Sequence, residues 1–479
     1  MKLAWIVLVM TVSTKVPASP DLYAERDAPT APTAPVTPPP PLGLGDVVDA
    51  PLPGGESGRS DAGDGGDSTL RQVSRVVLSI PRVAVDIVFL PVRGAIWADE
   101  RYYLQERYER LFFSPDKTIG FYPILWFETG FGLTVGGRFF ANDVFGEGER
   151  FTLDATAGGR YHSKVYTSFR TGHRLGDRLE LEVNARYDRR PWDYFFGIGN
   201  EDTADPAMLV DPLTSDVAIE SRFRDRLARA AAIADVGVAG ALHLRAAGAL
   251  SGEKFGESSR DPSIDTVYDI NDVVGFSSGE RSFYTELELR WNNRGRVTMM
   301  EPESLYATGT LASAFAGRVT RIHGEGSDFW RYGADLQHFI RLGEGPRVFS
   351  LRAHGEAVTG ARDEVPFNEL PRLGGTTFLR GYQVDRFRDR VAAVVAAEYM
   401  WDLSRFLAAS LFVDVGRVYP SISDLSLDHL RLGYGLALQA HSEHSFLANV
   451  TIASSIDGGV FLNLMFNPVF DLEERVKRR

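Results

Sequence analysis

The feature that most constrains this chain is a hydrophobic period of two, repeated in segments of roughly ten residues. Leu179, Leu181, Val183, Ala185 and Tyr187 alternate with Glu180, Glu182, Asn184, Arg186 and Asp188. A helix would scatter these residues around its circumference, whereas a strand puts the apolar set on one face and the charged set on the other. The alternation recurs in Phe283, Leu287, Leu289 and Trp291 against Glu286, Glu288 and Arg290, and in Leu407, Ala409, Leu411, Val413 and Val415 against Ser410, Phe412, Asp414 and Gly416. It returns in Leu430, Leu432, Tyr434, Leu436 and Leu438 against Arg431, Gly433, Gly435 and Gln439. A last instance, Val460, Leu462, Leu464 and Phe466, closes the series as a terminal strand. Strands of this kind build either a soluble sandwich, with the apolar face inward, or a transmembrane barrel, with the apolar face toward lipid. Their length, their number and the rings near their ends (Trp291, Trp330, Tyr332, Tyr399, Trp401) favour the barrel.

Composition narrows the function classes. Glycine accounts for 47 of 479 residues and aromatics for 11%, which suits tight turns and ring-lined strand ends. Cysteine is absent, so disulfides, thiolate metal sites and a cysteine nucleophile are excluded. A net charge of −12 argues against a nucleic-acid partner. The N-terminus predicts export: Lys2 precedes an apolar run from Leu3 to Val12, and Val16-Pro17-Ala18-Ser19 offers small residues for cleavage, giving a signal peptide over 1–18. The run is too short to span a bilayer as a helix. Residues 19–69, with their Ala-Pro-Thr repeats and a Gly-rich stretch, form a disordered linker because they cannot bury enough apolar surface to order. Residues 70–117 read as a short amphipathic helical segment broken by Pro81 and Pro91, lying against a membrane face or a barrel mouth, or else as a helical cap in a soluble domain. A β-barrel over 118–470 and a charged extension over 471–479 complete the chain.

Walking the turns gives strands near 119–127, 130–141, 149–159, 162–171, 177–190, 217–232, 235–251, 281–293, 304–320, 328–341, 346–359, 390–402, 406–418, 429–440, 445–455 and 458–469. The fold class is therefore all-β, an antiparallel transmembrane barrel of about sixteen strands. Its long connections, 191–216, 252–280 and 360–389, all fall on one side, the outward one if the termini are periplasmic.

One of those connections carries the sharpest motif. It runs Leu373-Gly374-Gly375-Thr376-Thr377-Phe378-Leu379-Arg380-Gly381-Tyr382, then Arg386-Phe387-Arg388-Asp389, and lies after the eleventh strand. The thirteenth strand holds Phe412-Val413-Asp414-Val415-Gly416, and the twelfth holds Glu398. By alternation Asp414 and Glu398 point into the lumen, where a guanidinium can satisfy both through forked hydrogen bonds. In this reading Arg380 enters the lumen, Gly381 permits a tight turn, Tyr382 packs on Phe412, and the loop blocks the pore.

This loop and strand pair resembles the outer-membrane assembly-factor family, BamA/TamA-like and also called bacterial surface antigen proteins. Glu128-Thr129-Gly130, Asn142 to Gly148 and Phe195 to Asn200 are further echoes, and the resemblance covers about 118–469. It implies a bacterial outer-membrane location, contact with outer-membrane lipid and lipopolysaccharide, and a role in inserting or translocating proteins, with unfolded outer-membrane proteins or a separate periplasmic protein as partners. The chain departs from the family in ways that bear on that role. Fewer than a hundred mature residues precede the barrel, too few for the periplasmic polypeptide-transport-associated domains, and Asn292-Asn293-Arg294 stands where an Asp-x-Arg is often found. The alternative reading is a passive structural or pore-forming barrel without assembly activity.

No enzyme is expected. Gly275-Phe276-Ser277-Ser278-Gly279 matches a nucleophile-elbow pattern, but in a hairpin loop with no helix after it. His441-Ser442-Glu443-His444 lacks a third convergent metal ligand, so neither a metal nor another cofactor is predicted.

Overall fold

A bilayer supplies no hydrogen bonds, so a chain that crosses it with strands must pair every edge and close on itself. The computed structural model of the protein describes residues 110–116, 118–202, 217–294, 308–342, 347–404, 407–441 and 446–465. The proposed signal peptide, linker and C-terminal extension lie outside the described residues, as do residues 70–109 of the helical segment. Sixteen strands form a closed antiparallel barrel, the architecture that the alternation predicts. They are β1 (Ile119–Glu128), β2 (Gly132–Asn142), β3 (Arg150–Gly158), β4 (Tyr161–Arg170), β5 (Leu179–Phe195), β6 (Ser221–Ala239), β7 (Leu242–Glu257) and β8 (Glu280–Asn292). The second half comprises β9 (Gly309–Gly324), β10 (Phe329–Arg341), β11 (Arg347–Val358), β12 (Val391–Ser404), β13 (Leu407–Tyr419), β14 (Arg431–His441), β15 (Phe446–Ser455) and β16 (Val460–Met465). Each strand pairs with its neighbour in sequence, and β16 returns to β1. Among the described residues no helix is long and apolar enough to cross a membrane.

The polarity of the barrel is inside out. Val183, Leu287 and Leu411 are 53%, 60% and 53% exposed, while Glu182, Glu288 and Asp414 on the alternate faces are 6%, 2% and 1% exposed. Many of the buried acids are matched by a cation on a neighbouring strand. Arg352 pairs with Asp335 at 2.6 Å, Arg331 with Glu356 at 3.2 Å and Arg138 with Asp154 at 2.5 Å.

Several strand boundaries differ from the sequence reading. The sixth strand was expected over 217–232 and the seventh from 235, yet β6 begins at Ser221 and continues to Ala239, with the turn at Gly240, φ 53°. The run Ala230-Ala231-Ala232-Ile233-Ala234 gives no contrast between faces, so periodicity could not locate the turn. Val217 and Ala218 instead make a short parallel pair with Glu201 and Asp202. β5 likewise runs on to Phe195 through an irregularity between Arg190 and Asp193.

Strands β5 to β9 exceed the roughly ten residues a bilayer requires, so their ends stand clear of it and carry a cap. A core there gathers Phe195, Ile219 and Phe223 with Ile264, Val267, Tyr268, Val273 and Phe276 of the β7–β8 connection and Phe367 of the β11–β12 connection. The Tyr268 hydroxyl donates to the Ile219 carbonyl at 2.7 Å and accepts from its N–H at 2.9 Å. A one-turn helix, α1 (Ile264–Val267), buries Ile264 and Val267 in this core. At the opposite end, Phe113 meets Phe140 edge to face at 5.6 Å.

Leu287 is mid-strand and outward. Leu287→Arg is expected to lower the unfolding free energy in lipid vesicles by about 2–4 kcal/mol, as for an arginine near the midplane of a barrel wall. Urea unfolding that matches the parent protein would mean that this face does not meet lipid.

Candidate functional site

The β11–β12 connection folds back into the barrel because it makes its own hairpin. Arg372 and Leu373 pair with Arg388 and Phe387, and beyond them Gly374 N–H donates to the Phe378 carbonyl at 3.0 Å and Gly375 N–H to that of Tyr382 at 3.1 Å. Leu373, Leu379, Tyr382 and Phe387 bury against Ala392, Val394 and Val418 of the wall. This apolar footing carries the tip to the lumenal faces of β12 and β13.

Arg380 is 2% exposed at that tip, with Glu398 and Asp414 equally buried at 2% and 1%. Its Nη1 donates to Glu398 at 2.8 Å; Nε and Nη2 donate to the two oxygens of Asp414 at 2.8 and 2.7 Å, and its backbone N–H reaches the same carboxylate at 2.8 Å. The guanidinium lies 3.5 Å from the centroid of Phe412. Burial lowers the proton affinity of the guanidinium, but the carboxylates of Asp414 and Glu398 more than offset this and raise its pKa above the ordinary value. The group is permanently charged. Glu398 and Asp414 come from adjacent strands, so a single side chain ties the loop to two staves of the barrel.

Steric room is as specific as charge. Gly381 has φ 96°, and a Cβ there would fall 2.1 Å from the Ser454 carbonyl oxygen. Gly433 on β14 faces the loop so closely that a Cβ would stand 1.7 Å from the Arg380 carbonyl oxygen. Gly435 leaves space for the Phe412 ring, whose Cζ lies 2.7 Å from where its Cβ would be. Gly416 is similarly crowded, by the Ala393 carbonyl oxygen at 2.8 Å. Inward glycines at 433 and 435 were visible in the alternation, but only the loop's approach gives them a role.

Tyr382 differs from the sequence expectation. Its ring meets Phe387 at 5.1 Å, and its hydroxyl donates to Asp457 at 2.8 Å. Phe412 is occupied by Arg380, which leaves Tyr382 to reach past it toward the β15–β16 turn. Sequence reasoning also missed three supports. Asn200 donates to the Val418 carbonyl at 2.5 Å and accepts from its N–H at 3.0 Å. Arg160 and Arg372 approach Asp385 at 3.4 and 2.8 Å and, against the raising effect of burial, hold that carboxyl below the usual range. Buried Arg388 donates to the Phe367 and Tyr194 carbonyls at 3.2 and 3.4 Å; burial, with Arg372 nearby, pushes it down to about 10. A cavity of about 240 Å³ separates Gly374–Phe378 from Trp126 and Glu128 on β1.

Beside this cavity the barrel closes. β1 and β16 share the register pairs Phe127 with Leu464 and Glu128 with Asn463 among the described residues, against ten pairs between β1 and β2. Thr129 reinforces the seam: its hydroxyl donates to the Leu462 carbonyl at 2.7 Å and accepts from the Leu462 N–H at 2.7 Å. Phe466 lies outside the described residues. So do Ser442 to His444, and no group of three or more His, Cys, Asp or Glu side chains that could hold a metal occurs among the described residues.

A family model described as the Omp85 superfamily domain matches residues 143–443. No curated protein matches the chain. Among solved structures, BamA from Haemophilus ducreyi lacking POTRA domains 1-3 is similar over 73% of this chain and 70% of that chain, with a TM-score of 0.50 and 14% identity. CdiB from Acinetobacter baumannii aligns over 72% of this chain and 59% of its own, with a TM-score of 0.44 and 10% identity. For CdiB from Escherichia coli the values are 73% and 63%, 0.46 and 11%. The chain thus spans less than two thirds of either CdiB chain. At this identity the likeness to BamA concerns the fold.

Removing one partner from a buried ion pair leaves an uncompensated charge and costs about 3–5 kcal/mol. Arg380→Ala and Asp414→Ala are each expected to lower stability by that order, and the double variant by clearly less than their sum, in unfolding titrations in detergent. Arg380→Lys restores only part, because an ammonium cannot fork to two carboxylates. Strictly additive losses would mean that the two residues act independently.

Proposed function

The chain belongs to the Omp85 superfamily and is a bacterial outer-membrane barrel, and from that premise we propose that it aids the insertion or translocation of proteins at the outer membrane by opening between β1 and β16. The observation that carries this reading is the seam. Along β1, all ten residues from 119 to 128 pair with β2, whereas among the described residues only Phe127 and Glu128 pair with β16. An unpaired strand edge is a template for another strand, which gains main-chain hydrogen bonds by adding to it. Among the described residues the seam holds two register pairs and the Thr129 bonds, and parting it exposes such an edge on β1, whereas parting β1 from β2 breaks ten pairs.

The fitting client is an unfolded outer-membrane strand with alternating apolar residues, delivered directly or by a separate periplasmic protein. The work is a matter of edge geometry, with no covalent step. The lumen speaks against a passive pore: the hairpin of the β11–β12 connection occupies it, held by Arg380, and the apolar cap stands at its outer mouth. In this reading the lock keeps the frame rigid while the seam moves.

Glu128 and Asn463 are register partners across the seam, and the chain has no cysteine of its own. A Glu128→Cys, Asn463→Cys variant in lipid vesicles, given a urea-denatured eight-stranded outer-membrane barrel as client, is expected to accelerate client folding when reduced. Oxidised, it is expected to fall to the rate of empty vesicles. Equal acceleration in both states would overturn the proposal.

A further inference from the structure

The outer faces of β5 to β8 are apolar over most of their height and cationic at the end that carries the long connections. Arg189 on β5, Arg224 and Arg226 on β6, Lys254 on β7 and Arg281 on β8 are all exposed. Register aligns them. Arg189 is opposite Arg226, and Arg226 is opposite Lys254. Direct partners in an antiparallel pair share a face, so three cations stand side by side across three strands. Arg224 and Arg281 flank this row, opposite Gly256 and Gly252 respectively.

Those two glycines shape the surface between the cations. A Cβ on Gly256 would fall 2.5 Å from Nη2 of Arg224, and one on Gly252 would lie 3.8 Å from Cγ of Arg281. The arginine side chains therefore lean over β7 from both sides, with Lys254 between them. The outward positions of β5 to β8, from 181 to 189, 224 to 236, 244 to 256 and 281 to 291 in steps of two, include no Asp or Glu. Among the described residues none of the five cations makes a hydrogen bond or an ion pair.

Like charges placed directly opposite across strands are destabilising. Here the cost is incurred at a definite level of the wall. Exposed Tyr187 and Phe283 lie two residues below Arg189 and Arg281 on the same faces, and Leu250 four below Lys254. That order, apolar and ring side chains followed by cations, marks the boundary between hydrocarbon and headgroups. Long connections face outward in outer-membrane barrels, so the boundary belongs to the outer leaflet. Phosphates accept forked hydrogen bonds from arginine. Neighbouring strands are about 4.8 Å apart, so one headgroup bearing two phosphates on a small saccharide can answer more of these cations at once than a single-phosphate headgroup.

From this band we infer that β5 to β8 form a binding site for the phosphorylated saccharolipid of the outer leaflet, lipopolysaccharide, through its lipid A phosphates. The inference rests on the outer-membrane location and the strand register, and is independent of the assembly reading.

The test uses the full chain in neutral detergent, titrated separately with bisphosphorylated lipid A, monophosphorylated lipid A and phosphatidylglycerol, with binding read by native mass spectrometry. Bisphosphorylated lipid A is expected to bind tightest, with an affinity that falls as salt rises. An Arg226→Gln, Lys254→Gln variant should lose about tenfold or more, since each basic residue at an anionic membrane surface contributes about 1 kcal/mol. Arg178→Gln, exposed at the opposite end of the barrel, should bind as the parent does. If the double variant fails to fold, the order of the three lipids on the parent protein decides. Phosphatidylglycerol binding as tightly as bisphosphorylated lipid A, or a folded double variant that binds it undiminished, would overturn the site.

Discussion

A guanidinium buried between two carboxylates organises the lumen of this barrel. Arg380, Asp414 and Glu398 are each nearly inaccessible, and none could be tolerated there alone, because the desolvation of a single ion costs several kcal/mol. Together they satisfy one another's hydrogen bonds and join the tip of a long loop to β12 and β13. The arrangement is a device for position more than for stability: buried ion networks can often be replaced by apolar packing without loss. What apolar packing would not supply is directional specificity. The loop backbone can then approach the wall so closely that positions 381 and 433 admit no side chain.

The proposed opening leaves that anchored region in place. A closed sheet has no free edge, and parting it costs the hydrogen bonds of one strand pair. Among the described residues the pairs between successive strands are long, with the seam between β1 and β16 the exception. With its lumen occupied by the hairpin and its outer mouth covered by the apolar cap, the molecule is better suited to work at its wall than through its centre. A barrel that serves as an edge has different requirements from one that serves as a channel: a rigid frame, a weak joint and a defined seat in the lipid. The cationic band on β5 to β8 lies away from the seam, where a bound lipid could hold the frame without obstructing the joint.

Much of this was legible in the sequence, for physical reasons. Lipid on one side and ions on the other impose a strict period of two, so the strand count survived a reading with no structural aid. The inward direction of Glu398 and Asp414 followed from the same period. Legibility failed where the two faces do not differ. The alanine run in β6 hid the turn at Gly240, and the end of β5 was set at 190 instead of Phe195 because strand ends above the membrane are subject to no such period. Tyr382 was assigned to Phe412 because two rings near each other suggest packing. Cation on ring won instead, since Arg380 already needed that place. The role of Gly433 depends on a contact more than fifty residues away in sequence, which no local pattern encodes.

The central claim is that work is done at the β1 edge. A photo-crosslinking residue placed at Phe127, beside the seam, and separately at Leu287, on the outer face of β8, tests it in living cells. The account predicts adducts with immature outer-membrane proteins from position 127 and none from position 287. Equal adducts from both positions, or adducts from 287 alone, would contradict it.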